Sequence, residues 1–216
     1  MSQHHLGWLA TVGLVPMVTM PADADPLKDF CVADNSTGLT INGFPCKPAA
    51  KVTVDDFTFG GLTKAGDTNN KNMAPAVTPA SVIQFPRLNT LGISAARIDF
   101  AKGGINPPHT HPRATEILLL AQGELYVGFV STNNTLFATV LKAGELFVFP
   151  KGLVHFQLNV GESPALAFAG LSSENPGTQQ VAPALFTPDI KDEVLEGFRI
   201  NGKTVDMILE AEFRDM

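Results

Sequence analysis

Short apolar runs alternate with turn-forming residues throughout the second half of the chain. Each run is rich in valine, isoleucine, leucine, phenylalanine or alanine, and glycine, proline or asparagine punctuates the series. Many short strands at this spacing are typical of a sandwich or a barrel, so the pattern predicts a fold dominated by β-structure. The runs cover residues 93–100, 117–120, 125–130, 136–141, 146–149, 156–160 and 165–169.

The segments on either side of this region have a different character. Residues 25–85 are rich in glycine, proline, asparagine and aspartate and predict an extended, loop-rich arm, followed by the barrel at 86–185. Thr187-Pro188 then predicts a helix start, and apolar residues recur at helical spacing over 186–216, with a break at Asn201-Gly202. Two short amphipathic helices have no core of their own and must cover the barrel or pack on another subunit. We favour oligomerisation, because the barrel already buries its own inner face.

Residues 1–24 resemble a secretory signal. Positions 6–20 are mostly apolar, and Ala22-Asp23-Ala24 fits a small-x-small cleavage pattern, although no lysine or arginine precedes the apolar run. The stretch is too short to predict a transmembrane helix. The alternative is a buried or disordered N-terminus.

The two cysteines, Cys31 and Cys46, agree with secretion. In an oxidising compartment they would pair and close a short loop, worth roughly 3 kcal/mol, whereas in the cytosol they would remain free thiols. Asn35 and Asn133 each begin an Asn-x-Thr triplet and are candidate glycosylation sites.

Composition narrows the range of partners. The 216 residues are 44% hydrophobic and 17% charged, as expected for a globular domain with a real core. The formal net charge is -6 and the sequence pI is about 5.3. These values argue against nucleic acid and against an anionic membrane surface, because both need basic patches.

The histidines are placed for metal binding. Of five in the chain, His4 and His5 fall in the signal segment, and the others are His109, His111 and His155. His109 and His111 are two residues apart, so their imidazoles can share one face of a strand. With Glu116, the three later histidines form a set of nitrogen and oxygen donors that suits manganese or iron, with zinc or copper also compatible.

The residues around these histidines resemble a known family. Residues 103–116, continuing to Gly123, closely resemble the first cupin motif of plant germin-like proteins, and residues 29–34 with Cys46 resemble the mature start and disulfide of that family. The second motif also matches, at Gly144, Pro150, Gly152, His155 and Asn159.

The resemblance implies a jelly-roll cupin β-barrel that holds one manganese ion per subunit on His109, His111, Glu116 and His155. It also implies a hexamer built as a trimer of dimers, with the C-terminal helices as its clasp. The location it implies is extracellular, in the apoplast or cell wall.

The family includes oxalate oxidases, superoxide dismutases and members without demonstrated activity. Two asparagines near the metal bind substrate in the oxalate oxidases; one matches Asn106, whereas the other falls at Ala96, which has no hydrogen-bonding side chain. We therefore expect superoxide, a small anion, as the substrate, with Asn106 orienting a water or ligand without binding the metal itself. Oxalate oxidation and a non-enzymatic storage, receptor-like or wall role with a structural metal are the alternatives. We expect Arg113 and Asn159 to be structural.

Overall fold

The apolar runs form two antiparallel sheets of five strands each in a computed structural model, which describes residues 28–38, 43–69, 74–188, 190–195 and 197. The strands are β1 (Ala76–Ala80), β2 (Ser94–Phe100), β3 (Ile105–Thr110), β4 (Glu116–Gln122), β5 (Glu124–Val130), β6 (Leu136–Lys142), β7 (Leu146–Phe149), β8 (His155–Asn159), β9 (Ala165–Leu171) and β10 (Gln179–Gln180). One sheet has the strand order β1-β2-β9-β4-β7 and the other β10-β3-β8-β5-β6. This is the jelly-roll arrangement that the family resemblance implied.

Alternation along the strands creates the core between the two sheets. In β4, Leu118 and Leu120 are fully buried, while the intervening Ile117 and Leu119 face outward and are exposed. β8 and β9 alternate in the same way. The buried cluster is filled by large side chains such as Phe100, Leu118, Leu120, Leu125 and Phe149. Because the apolar side chains of the two inner faces pack closely against each other, the barrel is rigid enough to hold polar groups in fixed positions.

A β-bulge in β3 decides which of its side chains face inward. Asn106 pairs with Gln157 and His109 pairs with His155, so three steps along β3 match only two steps along β8. In a regular strand Asn106 and His109 would point to opposite faces, but the extra residue brings both to the inner face. Pro107 and Pro108 fall in the irregular stretch, where a missing ladder donor is tolerated.

The N-terminal arm is joined to the barrel by covalent and polar contacts. Cys31 and Cys46 form the disulfide that the sequence predicted. Asn89, which is completely buried, donates to the carbonyls of Cys31 and Phe44 at 3.1 and 2.9 Å. The arm also contains 3-10 turns at Asn35–Thr37, Ala49–Lys51 and Val54–Phe57, and a further 3-10 turn, Pro86–Leu88, lies between β1 and β2.

Strand β1 lies within the segment that the sequence assigned to the arm, ahead of the expected barrel start at residue 86. It pairs with β2 along its whole length, from Ala76 opposite Asp99 to Ala80 opposite Ala95. Burial alternates regularly along β1, but Val77 and Pro79 face outward while Thr78 faces inward, so hydrophobicity does not mark the buried face of this strand. The proline is tolerated because β1 is an edge strand.

The predicted helix start at Thr187-Pro188 is wrong. Helix α1 (Val181–Phe186) ends there, with Thr187 as its C-cap, and the next helical turn is α2 (Asp192–Leu195). Pro183 supplies the same start signal earlier, since it lies in the first turn of α1, where no backbone donor is needed. The signal segment at 1–24 and the remainder of the C-terminal helical pattern, residues 198–216, lie outside the described residues. Across the described part of the chain, no helix has the length and apolar character needed to cross a bilayer.

Replacing Cys31 and Cys46 together by serine should destabilise the protein by roughly 3 kcal/mol, because the bond closes a loop with a sequence separation of 15 residues. Equilibrium unfolding in guanidinium measures this loss, with the reduced native chain as a second comparison. Metal uptake by the folded variant should be unchanged. Equal unfolding midpoints for the native and doubly substituted chains would contradict the prediction.

Candidate metal centre

Four buried side chains converge at one place between the two sheets. His109 lies in β3, His111 directly follows that strand, His155 begins β8, and Glu116 begins β4 in the opposite sheet. One nitrogen of each histidine and one carboxylate oxygen all lie within 4.8 Å of one another. None of the four residues exceeds 9% exposure. The structure therefore brings together the four ligands that the sequence predicted, and a bound cation would link the two sheets.

Backbone carbonyls fix the orientation of all three rings. In each ring Nδ1 lies at hydrogen-bond distance from a carbonyl oxygen, which can only accept, so Nδ1 carries the proton. Each Nε2 is then left with its lone pair free for a metal. The contacts run from His109 to Pro107 at 2.8 Å, from His111 to Gly177 at 2.6 Å, and from His155 to Leu153 at 2.8 Å.

The free nitrogens face a carboxylate. Nε2 of His111 is 2.9 Å and Nε2 of His155 is 3.4 Å from the same Glu116 oxygen, Oε2. His155 Nε2 is buried and has no hydrogen-bond partner among the described residues. Lone pairs on nitrogen and a carboxylate oxygen repel at these distances unless a positive charge lies between them. The donor set therefore fits a divalent metal ion, and without one a proton must take its place.

The pKa values reflect this crowding. Burial, reinforced by the nearby His155, lowers the pKa of His109 to about 4. Burial would also lower the pKa of His111, but the hydrogen bonds to the Glu116 carboxylate and the Gly177 carbonyl, together with the negative charge of Glu116, outweigh burial and raise that pKa above its ordinary value. Burial alone would raise the pKa of Glu116, yet the two histidines bring it down to about 2. Glu116 is thus held as an anion, and His111 is the group most ready to hold the proton that a metal displaces.

Aromatic packing closes one side of the centre. The Phe149 ring stacks on the His155 ring at 4.5 Å with an interplanar angle of 21°, and Phe147 packs on Phe149 at 5.1 Å. These rings hold His155 in place and keep water from that side, which strengthens the electrostatic interactions within the centre.

Two of the other singled-out residues have structural roles, as expected. The Asn159 side chain donates to the carbonyls of Ala101 and Ser163 and accepts from the backbone of Gly161. Arg113 donates to the carbonyl of Asn175 at 2.6 Å and so anchors the loop that carries Gly177, the partner of His111.

Asn106, Gln157 and Ala96 also face the interior of the barrel and are not among the four ligands. Asn106 donates from Nδ2 to Oε1 of Gln157 at 2.7 Å. Ala96 lies on the inner face of β2 and is 8% exposed. Gln157 was not predicted from the sequence, although its spacing of two from both His155 and Asn159 places all three on one face of a strand.

Both glycosylation triplets are at the surface. Asn35 lies in a 3-10 turn of the arm, and Asn133 lies in the turn between β5 and β6; both side chains are exposed. Either could be modified without disturbing the barrel.

Comparison with known proteins agrees with the geometry. The family model described as cupin matches residues 61–206. Germin-like protein subfamily 2 member 2 of Arabidopsis thaliana is 51% identical over 191 residues, which cover 87% of each chain. Putative germin-like protein 2-1 of Oryza sativa subsp. japonica is 51% identical over 197 residues, 89% of this chain and 90% of the relative. A solved structure of oxalate oxidase superposes with a TM-score of 0.84 at 44% identity, covering 90% of this chain and 99% of that one.

Lowering the pH below the raised pKa of His111 should weaken metal binding. Below it a cation must displace the His111 proton, which weakens binding by about tenfold per pH unit for one proton, and above it affinity should level off. Calorimetric titration of the apoprotein with Mn²⁺ from about pH 5 to about pH 8, in buffers of different ionisation enthalpy, measures both affinity and proton release. A flat affinity with no proton released would contradict the prediction.

Proposed function

The chain belongs to the cupin family and, within it, to the germin-like proteins, and from that premise we propose that it is a secreted manganese-dependent superoxide dismutase. The observation that carries the proposal is the buried set of three histidines and one glutamate, whose ligand atoms lie within 4.8 Å of one another, in a barrel whose wall at position 96 has no polar group.

The charge of the centre suits a small anionic substrate. Three neutral imidazoles and the single Glu116 carboxylate leave a net positive charge around a divalent or trivalent ion, and a water-poor interior lets that charge act strongly. A bound manganese ion would supply the one-electron oxidation and reduction that convert two superoxide ions into dioxygen and hydrogen peroxide. The residues would hold the ligand geometry and neutralise part of the charge.

Within the part of the chain that the structure describes, the buried carboxylates outside the centre are Asp56 and Asp99, and both are paired: Asp56 with Lys47 and Arg87, and Asp99 with Arg97. We therefore assign water as the source of the two protons of hydrogen peroxide. Asn106, which has no acidic proton, can hold such a water by hydrogen bonding. This is the role we assign to it.

Oxalate oxidation is the second candidate, supported by the similarity to a solved oxalate oxidase. Ala96 weighs against it. Its neighbours across the sheet are Ala169 in β9 and Pro79 in β1, so no adjacent side chain supplies the donor that an asparagine would provide. A dicarboxylate would lose the one hydrogen bond that an asparagine at position 96 would donate, at a cost of about 1–3 kcal/mol. The third candidate function is a non-enzymatic storage, receptor-like or cell-wall role, in which the metal stabilises the barrel.

We also propose that the chain assembles as a homo-hexamer, a trimer of dimers, in the apoplast or cell wall. Two outer faces support self-association: Ile117 lies beside Val148 and Leu119 beside Leu146 on one sheet, and the other sheet exposes Leu136, Val140 and Ile105. Two separate apolar faces fit an assembly with two kinds of interface. The disulfide and the exposed triplets at Asn35 and Asn133 support an extracellular, glycosylated protein.

Dismutase activity should rise in proportion to bound manganese and be lost in His109→Ala, which removes one ligand from a buried set of four. Superoxide consumption by pulse radiolysis, set against metal content by mass spectrometry, gives activity per ion. Arg87→Lys, which keeps the positive charge beside Asp56 in the 3-10 turn Pro86–Leu88, serves as the control and should retain full activity. Full manganese occupancy without activity would exclude the dismutase and favour a structural metal.

Ala96→Asn should increase peroxide release from oxalate by roughly ten- to a hundredfold, because it supplies a donor of about 1–3 kcal/mol where the native wall has none. Ala96→Leu is the matched control, since it adds bulk without a donor and should show no gain. Peroxide is measured with a coupled peroxidase. Equal, low activity in all three proteins would show that position 96 does not select the substrate.

A further inference from the structure

His111 is held differently from the other two histidine ligands. The Nδ1 atoms of His109 and His155 each meet a carbonyl two residues back in their own stretch of chain, whereas Nδ1 of His111 meets the carbonyl of Gly177, 66 residues away. His111 also lies just beyond the end of β3 and is the most exposed of the four ligands, at 9% against 1–2% for the others. Its orientation therefore depends on a loop from another part of the barrel.

The loop that supplies this carbonyl is formed by residues 172–178 and joins β9 to β10. Its first half is bonded to the barrel through Ser173 and Glu174. The carbonyl of Ser173 accepts from Ser94 Oγ at 2.7 Å, and that of Glu174 accepts from the backbone of Val82 at 2.8 Å. These contacts fix where the 172–178 loop starts, but the carbonyl that orients the ligand belongs to its second half.

Arg113 holds the second half of the loop. It donates from Nε to the carbonyl of Asn175 at 2.6 Å and from its backbone to the carbonyl of Pro176 at 3.2 Å. The guanidinium also covers Gly177, because a methyl group placed on that glycine would lie 2.9 Å from Nη2 and 3.1 Å from Cζ of Arg113. Arg113 is only two residues from His111, so one short turn carries both the ligand and the residue that holds its orienting loop.

We propose that Arg113 is a positioning residue of the metal centre, and that its contact with the 172–178 loop sets how fast the centre releases its ion. While the contact is made, the Gly177 carbonyl keeps the His111 ring in place with Nε2 toward the other ligands. When the contact opens, the ring is free to rotate about its own side-chain bonds and Nε2 leaves the centre. The proposal rests on the metal site of the proposed function but not on its superoxide chemistry.

The chemistry of the two contacting residues suits a latch of this kind. The charge of Arg113 strengthens its hydrogen bond to a neutral carbonyl, and its planar guanidinium fits beside a residue that has no side chain. Gly177 has a φ of +69°, a conformation that favours glycine. Arg113 is exposed to solvent, so the contact can open locally while the barrel stays folded.

Release of manganese tests the proposal. Protein loaded with Mn²⁺ is mixed with excess EDTA below its unfolding temperature, and the loss of bound ion is followed by electron paramagnetic resonance. Arg113→Gln removes the charged donor and should release Mn²⁺ about tenfold faster than the native chain, with Arg113→Lys between the two. The bound Mn²⁺ of Arg113→Gln should also show a changed zero-field splitting, which the loss of a residue that only stabilises the fold would leave unchanged.

Gly177→Ala tests the same contact from the side of the loop. Its methyl group should push the guanidinium aside and speed release as Arg113→Gln does, and the double variant should be little faster than either single variant. Gly38→Ala is the matched control. Gly38 lies in the N-terminal arm with a φ of +65°, and a methyl group there meets no atom within 4 Å, so the same backbone strain should leave the release rate native.

Release rates within about twofold of native in both Arg113→Gln and Gly177→Ala would overturn the proposal, and so would an equal acceleration in Gly38→Ala. If Arg113→Gln does not fold, the comparison of Gly177→Ala with Gly38→Ala decides the matter. The two proposals can fail separately, since a native protein whose manganese release depends on Arg113 but which does not consume superoxide contradicts the dismutase and leaves the latch in place.

Discussion

The mutual repulsion of four buried lone pairs is the constraint around which this barrel is arranged. Three histidine nitrogens and one glutamate oxygen lie within 4.8 Å of one another, and the Nδ1 protons are already committed to backbone carbonyls. No rotation of a single ring relieves the contact without losing one of these hydrogen bonds. Because the ligands come from both sheets, a cation at their centre both cancels the repulsion and holds the sheets together.

Backbone register, more than side-chain choice, makes that convergence possible. The bulge in β3 puts Asn106 on the same face as His109, and the loop anchored by Arg113 presents the Gly177 carbonyl to His111. Shifting the register of β3 or β8 by one residue would turn its metal ligand toward solvent. The Pro107-Pro108 pair is therefore part of the metal centre, although neither residue can coordinate a metal.

Much of this arrangement could be predicted from the sequence, because alternation and histidine spacing are local signals. The strand-forming runs, the Cys31–Cys46 bond and the four ligands all follow from local patterns or from family resemblance. Strand β1 and helix α1 do not follow from such signals. In β1 the apolar Val77 faces outward, and in α1 the helix-start signal of Pro183 is repeated by Pro188 after the helix has ended. Gln157 was missed because its importance comes from its partner across the sheet, Asn106, and cross-strand pairing is not a local property.

The ligands and the remaining inner residues have separate tasks. His109, His111, Glu116 and His155 determine that a metal binds, and the same set would serve a dismutase, an oxalate oxidase or a structural metal equally well. The choice among these must then lie with inner residues that do not touch the metal. Ala96 offers no side-chain hydrogen bond, whereas Asn106 keeps an amide that is hydrogen-bonded to Gln157. Under the proposed function, the hydrogen-bonding groups that the barrel wall keeps and omits are what separate these reactions.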